Sequence, residues 1–183
     1  MMYASEDLRD EHKGILFGLE ILEQMVNTFK LSGTVDTKDI DEMVHFLRLF
    51  ADKCHHGKEE GLMFPAMEKV GIPNERGPIG QMLVEHNQGR QYIAEMGKST
   101  ENSSSLGNLF TEAATGYINL MRAHIEKENS VLFPMGDQKI PMDVQTQLLV
   151  QFEEFEEEVM GEGTHEKLHE TLHKFEEKYL KLK

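Results

Sequence analysis

Six side chains in this sequence carry the chemistry of a metal site: His12, His55, Glu59, His86, His124 and Glu128. Two of the histidines have a glutamate four residues later, His55-x-x-x-Glu59 and His124-x-x-x-Glu128, and each pair is followed by Phe-Pro, at Phe64-Pro65 and Phe133-Pro134. Residues four apart share a helix face, so each pair offers an imidazole nitrogen and a carboxylate to one neighbourhood. The segments HHGKEEGLMFP (55–65) and HIEKENSVLFP (124–134) align without a gap, with Lys58 falling on Lys127. Glu11-His12 and Glu85-His86 form a weaker second echo. A different stretch, THEKLHETLHKF (164–175), holds H-E-x-x-H twice through His165, His169 and His173. That is the helical spacing of zinc-dependent proteases.

The neighbours at three, four and seven residues tell which face turns inward. His12 sits among Leu8, Ile15, Leu16 and Leu19, and His86 among Ile79, Met82, Leu83 and Ile93. His124 has Tyr117, Leu120, Met121 and Val131. At 55–60 the choice lies between His55 with Glu59 and His56 with Glu60. Val44, Ala51, Leu62 and Ala66 surround His55, whereas Asp52 and Lys53 flank His56, so His55 is expected inside and His56 outside. Any one of these histidines alone reads as a core imidazole with a satisfied hydrogen bond. Two ionised carboxylates in the same core, with no Lys or Arg on their face, would cost several kcal/mol or more uncompensated. A cation of charge +2 or more removes that cost, and it requires the deprotonated Glu and neutral His that such a site provides. The donors are too many for one tetrahedral zinc. They suit two metals bridged by the glutamates, and imidazole plus carboxylate with open positions points to non-haem iron, with zinc or manganese possible in recombinant protein.

The elements that must position these groups are helices. Apolar residues recur at helical spacing over 5–30, 38–70, 78–98, 105–136, 143–160 and 164–181, separated by LSGTVD, GIPNERG, STENSSS, QKIPM and GEG. STENSSS is expected to be an exposed connection. No alternating β pattern stands out. The fold class is therefore all-α: an up-down-up-down four-helix bundle over 1–136, with two additional C-terminal helices over 137–183 packed on it. Each of the four bundle helices then brings one histidine inward, and two add a carboxylate. Met25, Met82, Met96 and Met121 read as flexible core filling.

The net charge of −14 argues against nucleic acid and against an anionic membrane surface as partners. No apolar run is long enough to span a bilayer, and MMYASEDLRDEHK has no apolar leader core. The single Cys54 excludes an internal disulfide, reads as a packed core thiol, and suggests a reducing, cytoplasmic setting.

The ordered set His12, His55-x-x-x-Glu59, His86 and His124-x-x-x-Glu128, with its duplicated Phe-Pro, resembles the hemerythrin-like (HHE cation-binding) family over about residues 5–136. The resemblance implies a four-helix bundle around a carboxylate-bridged di-iron centre, with Glu59 and Glu128 bridging and His12, His55, His86 and His124 as terminal ligands. A free position on the iron would take O2, NO or peroxide. The chain departs from the O2-carrying members in two places. Arg90 stands four residues after His86, where they have a second histidine, and Asn129 stands where their fourth helix has an aspartate. One histidine fewer implies a more open, more reactive iron, suited to sensing, NO or peroxide chemistry or iron handling rather than reversible O2 carriage. Glu60, His56 and Tyr117 are the candidates to complete the shell.

Three rival readings are weaker. A zincin needs a third ligand, and no histidine follows His173. A ferritin-like di-iron oxidase would use Glu-x-x-His motifs, matched only by Glu42–His45 and Glu162–His165, on poor faces or at a helix start. A metal-stabilised interaction module without turnover is the third, and consumption of substrate separates it from an enzyme.

Overall fold

The computed structural model describes residues 2–100, 106–161 and 163–181, and the side chains of these residues other than Leu106 and His165. Among the described residues the secondary structure is entirely helical. Six helical segments follow in order: α1 (Ala4–Ser32), α2 (residues 37–69), α3 (Pro78–Ser99), α4 (residues 106–139), α5 (Met142–Met160) and α6 (residues 164–180). Local chemistry sets their ends. The Tyr3 N–H donates to Glu6 Oε2 at 2.7 Å at the start of α1, and Gly33 closes it at φ 73°, a left-handed conformation that lacks a steric penalty only for glycine. Asp36 caps α2 by accepting from the Lys38 N–H at 3.0 Å, and Pro78 opens α3. The expected connection STENSSS falls largely outside the described residues.

α1 packs against α2 and α4, and α3 against the same two, so the four make a ring. Its interior is two apolar clusters rather than one. The first gathers Ile15, Leu19 and Leu22 of α1, Met43, Phe46, Leu47 and Cys54 of α2, Ile93 and Met96 of α3, and Phe110, Tyr117 and Met121 of α4. The second gathers Ala4 and Leu8, Met63, Phe64 and Met67, Ile79 and Met82, and Leu132 and Phe133. Between these two stretches of each helix lie His12, His55 with Glu59, His86, and His124 with Glu128, all buried. Met25, Met82, Met96 and Met121 are buried as core filling. α5 adds Leu148 and Phe152 to the second cluster, and α6 adds Leu168, Leu172 and Phe175 to the first. None of the helices among the described residues is long and apolar enough to cross a membrane.

α2 and α4 are not uniform α-helices. Residues Leu47–His56, Glu59–Met63 and Glu128–Leu132 form wide turns, with Phe64 N–H bonded to Glu59 O and Phe133 N–H to Glu128 O, five residues back. Both of the latter turns run into Phe-Pro. Proline has no N–H, and its ring crowds the carbonyl four residues earlier, so a regular turn cannot form there; widening it relieves the clash. The duplication seen in sequence is thus a duplicated wide turn that begins at each glutamate. The extra residue also shifts the face that follows. Val131, expected inside, is 51% exposed and Leu132 is 1% exposed; likewise Leu62 is only partly covered while Met63 is fully buried. Leu16, expected beside His12, is also largely exposed.

Candidate metal centre

The six predicted residues converge. Glu59 and Glu128 are 0% exposed, and His12, His55, His86 and His124 are buried around them. A seventh residue joins them, against the expectation that His56 points to water. His56 is 1% exposed and its ring stacks on His86 with centroids 3.8 Å apart and planes 12° apart. The physical reason is the wide turn over Leu47–His56, in which successive residues rotate less about the axis, so adjacent histidines both face inward. The donors fall into two overlapping groups, His12, His55, Glu59 and Glu128 on one side and His56, Glu59, His86 and His124 on the other. The two carboxylates lie between them. Glu59 Oε1 is 3.6 Å from His55 Nε2 while its Oε2 is 3.4 Å from His86 Nε2. Glu128 Oε2 is 3.2 Å from His12 Nε2 and 3.3 Å from His124 Nε2.

Each of four imidazoles is held by its outer nitrogen. His55 Nδ1 donates to Glu11 Oε2 at 2.7 Å, His86 Nδ1 to Glu60 Oε1 at 2.7 Å, His124 Nδ1 to Glu85 Oε2 at 2.9 Å and His12 Nδ1 to Asn129 Oδ1 at 3.0 Å. The pattern is a closed ring. Every helix contributes a neighbouring pair, Glu11-His12, Glu59-Glu60, Glu85-His86 and Glu128-Asn129, and the outer member of each pair orients the histidine of the next helix. Cations fix three of these acceptors in turn. Lys58 Nζ donates to Glu11 Oε1 at 2.6 Å, Arg90 to Glu60 at 2.7 Å, and Lys127 to Glu85. Arg90 also donates to Asp52 at 2.7 Å, so it braces the outer ring, and His56 of α2 stands in one group with Glu59, His86 and His124. Five imidazoles thus stand in the cluster, His56 being one of the three candidates named to complete it.

With each Nδ1 hydrogen-bonded outward, the Nε2 atoms of these four rings aim inward. His86 Nε2 and His124 Nε2 stand 3.1 Å apart. Two nitrogens bound at right angles to one ion, each about 2.1 Å away, would stand roughly 3.0 Å apart. His12 Nε2, His55 Nε2, both nitrogens of His56 and all four oxygens of Glu59 and Glu128 lack a hydrogen-bond partner. Buried polar atoms are almost always paired, so this many orphans pointing at one space call for a cation. Protonation behaviour agrees. Burial, and then the charge of Glu128, push the Glu59 carboxyl well above its usual range. Burial pushes His124 down, but Glu128 outweighs it and lifts the imidazole to about 9. In both cases a proton takes the place of missing positive charge. Burial and the neighbouring His86 and His124 keep His56 far below its usual value, hence neutral. Burial likewise holds His55 down at about 4, despite Glu11.

The remaining expectations resolve as follows. Tyr117 is buried with an unpartnered hydroxyl. Glu60 serves the outer ring. Cys54 lies near Glu11 and Glu156, but burial above all lifts its thiol to about 12 and keeps it protonated. His45 is exposed, which removes Glu42–His45 as an interior motif. His169 and His173 are exposed, with His173 Nδ1 3.2 Å from Glu176 Oε2, while Leu168, Leu172 and Phe175 of the same helix are buried. Glu162 and the His165 side chain lie outside the described residues. A cavity of about 480 Å³ lies outside the ring, lined by Asp7, Glu11, Phe46, Phe50, Glu156 and Leu172 among others.

Sequence reasoning placed His56 on the outer face and named it only as one of three candidates to complete the shell; it missed the outer ring and its cations. The ring had a signal: an acidic or amide residue beside an inward residue on every helix, and a lysine three residues after each repeated histidine. The comparisons with known proteins agree with the geometry. The family model described as the hemerythrin HHE cation binding domain matches residues 3–136. No curated protein and no solved structure gives a significant match.

Proposed function

Because the chain belongs to the hemerythrin HHE cation-binding domain family, we propose that its cluster holds two non-haem iron ions bridged by Glu59 and Glu128, and that the centre binds or reacts with O2, NO or peroxide. The observation that carries this reading is the set of inward, unpartnered nitrogens and carboxylate oxygens, within a ring that ties down the outer nitrogens of His12, His55, His86 and His124. His12 and His55 serve one ion and His56, His86 and His124 the other. These donors favour iron among common metals, and zinc or manganese can occupy them in recombinant protein. When bound, iron supplies exchangeable coordination positions and one-electron chemistry.

The chain's own residues do the rest. With two imidazoles on one side and three on the other, an exchangeable position would fall to the ion beside His12 and His55. Glu11, Glu60, Glu85 and Asn129 keep Nδ1 of His55, His86, His124 and His12 protonated and those four rings in place, which raises ligand basicity. The apolar clusters on either side, with Phe133 stacked on His12 at 5.5 Å, keep bulk water away. The bundle is read as running up-down-up-down, because α1 and α3 pass from the second cluster to the first and α2 and α4 return. Residues 1–136 then form the metal domain and 137–183 its extension. The buried free thiol of Cys54 suits a reducing compartment such as the cytoplasm.

The test is to load the protein with iron(II) without oxygen and add NO or peroxide while recording visible absorption. A stoichiometric spectral change marks a binder or sensor, and continued consumption with a reductant marks an enzyme; either supports the proposal. A metal that raises the melting temperature but gives no spectral change with O2, NO or peroxide would leave only the interaction module.

A further inference from the structure

We infer that Glu156 of α5, outside the matched metal domain, is a positioning residue for the ion held by His12 and His55, so that the C-terminal extension sets how tightly that ion is bound. The inference rests on the two-ion reading above. It starts from an unequal pair. The duplicated lysines both brace an outer-ring glutamate, yet Lys127 is 42% exposed and Lys58 is 1% exposed. Burying an ammonium is costly unless it is fully paired. Lys58 meets that requirement with Glu11 Oε1 at 2.6 Å and Glu156 Oε2 at 2.8 Å, and more loosely with Asp7 Oδ2 at 3.4 Å. A continuous chain therefore runs from Glu156 through Lys58 and Glu11 to His55 Nδ1, the last link 2.7 Å long.

The way α5 reaches this point is built into α2. A Cβ on Gly57 would come within 2.7 Å of the Phe155 ring, so a larger residue there would have to displace that ring of α5. The ring of Phe152, one turn earlier, lies 5.7 Å from Lys58 Nζ. Aligned on its Phe-Pro, the second repeat has Glu126 where the first has Gly57. Glu126 is exposed. The extension thus packs over Gly57 of the first repeat, while the matching position of the second stays exposed.

If Glu156 loses its charge, Lys58 must draw more on Glu11, the carboxylate that also holds His55. The His55 ring is then less firmly aimed. Outer-shell losses typically lower metal affinity by about 10–100-fold, and two links further out the effect should lie at the low end, on the order of tenfold. The experiment is a cobalt(II) titration of the metal-free full-length protein, followed by visible absorption and calorimetry. Wild type should show two binding steps, and His55→Ala identifies the step that belongs to its side. Glu156→Gln should weaken that same step roughly tenfold, shift its absorption band, and leave the other step unchanged. Glu156→Asp, which keeps the charge, should recover part of the loss. Wild-type binding to both ions with an unaltered Glu156→Gln titration overturns the inference alone. Equal weakening of both steps, or equal loss in the Gln and Asp variants, overturns it too, as a general structural effect. Fewer than two steps in wild type overturns the two-ion reading and this inference with it.

Discussion

At the scale of single residues, the centre is organised by adjacency. Each helix presents one residue to the interior and its neighbour to the next helix's histidine, so Glu11 acts on His55, Glu60 on His86, Glu85 on His124 and Asn129 on His12. Three of these acceptors are carboxylates and one is a neutral amide, so the His12 ring receives the least electronic push. The two inward carboxylates differ: burial and Glu128 raise Glu59, whereas at Glu128 burial is outweighed by His124 and His12, which hold its carboxyl well below the ordinary range. In metal-free protein the folded-state Glu59 carboxyl lies well above its ordinary value of 4.5. The unfolded chain therefore loses this proton first as pH rises, and the folded state, still holding its own, becomes progressively less favoured. Glu59→Gln should remove that loss, leaving the metal-free variant equally or more stable than wild type at neutral pH in urea unfolding. The same variant should bind metal worse by more than the about 100-fold typical of outer-shell losses. A metal-free variant that is clearly less stable than wild type at pH 7 and no less stable at pH 4 would contradict the assignment. The six inward residues were legible because type, spacing and an internal repeat all agreed. His56 was legible only as one of three candidates to complete the shell, because its neighbours Asp52 and Lys53 follow the regular helical period and the local backbone does not.

At the scale of elements, that backbone departure decides the register. A Phe-Pro step inside a helix announces a lost hydrogen bond, but the side to which the chain adjusts is not written in the periodicity. The wide turns at Glu59–Met63 and Glu128–Leu132 move the buried position one residue on, to Met63 and Leu132. Two substitutions separate the possibilities. Leu132→Ala should destabilise the protein by about 2–5 kcal/mol, as loss of a fully buried leucine does. Val131→Ala should stay within about 0.5 kcal/mol. A regular helix would reverse that order in denaturant melts. Helix number, order and approximate ends were all readable from caps, prolines and apolar spacing, since those signals are local. The face shift depends on how proline is relieved inside a packed bundle, which is not.

At the scale of the whole molecule, two apolar clusters sandwich a polar layer, and the duplicated halves of that layer are finished differently. One half ends in an exposed lysine; the other is covered by α5 through Glu156, Phe155 and Phe152. The tail's overlapping H-E-x-x-H illustrates why spacing alone misleads. Its described histidines point to solvent, and the leucines between them do the packing. What distinguishes the interior set is convergence from four helices, a property of the assembled fold. The most direct test is anomalous diffraction from crystals of the iron-loaded protein at the iron absorption edge. Two peaks, one beside His12 and His55 and one beside His56, His86 and His124, with Glu59 and Glu128 between them, are expected. A single peak, or none among the imidazoles, would contradict the two-ion centre.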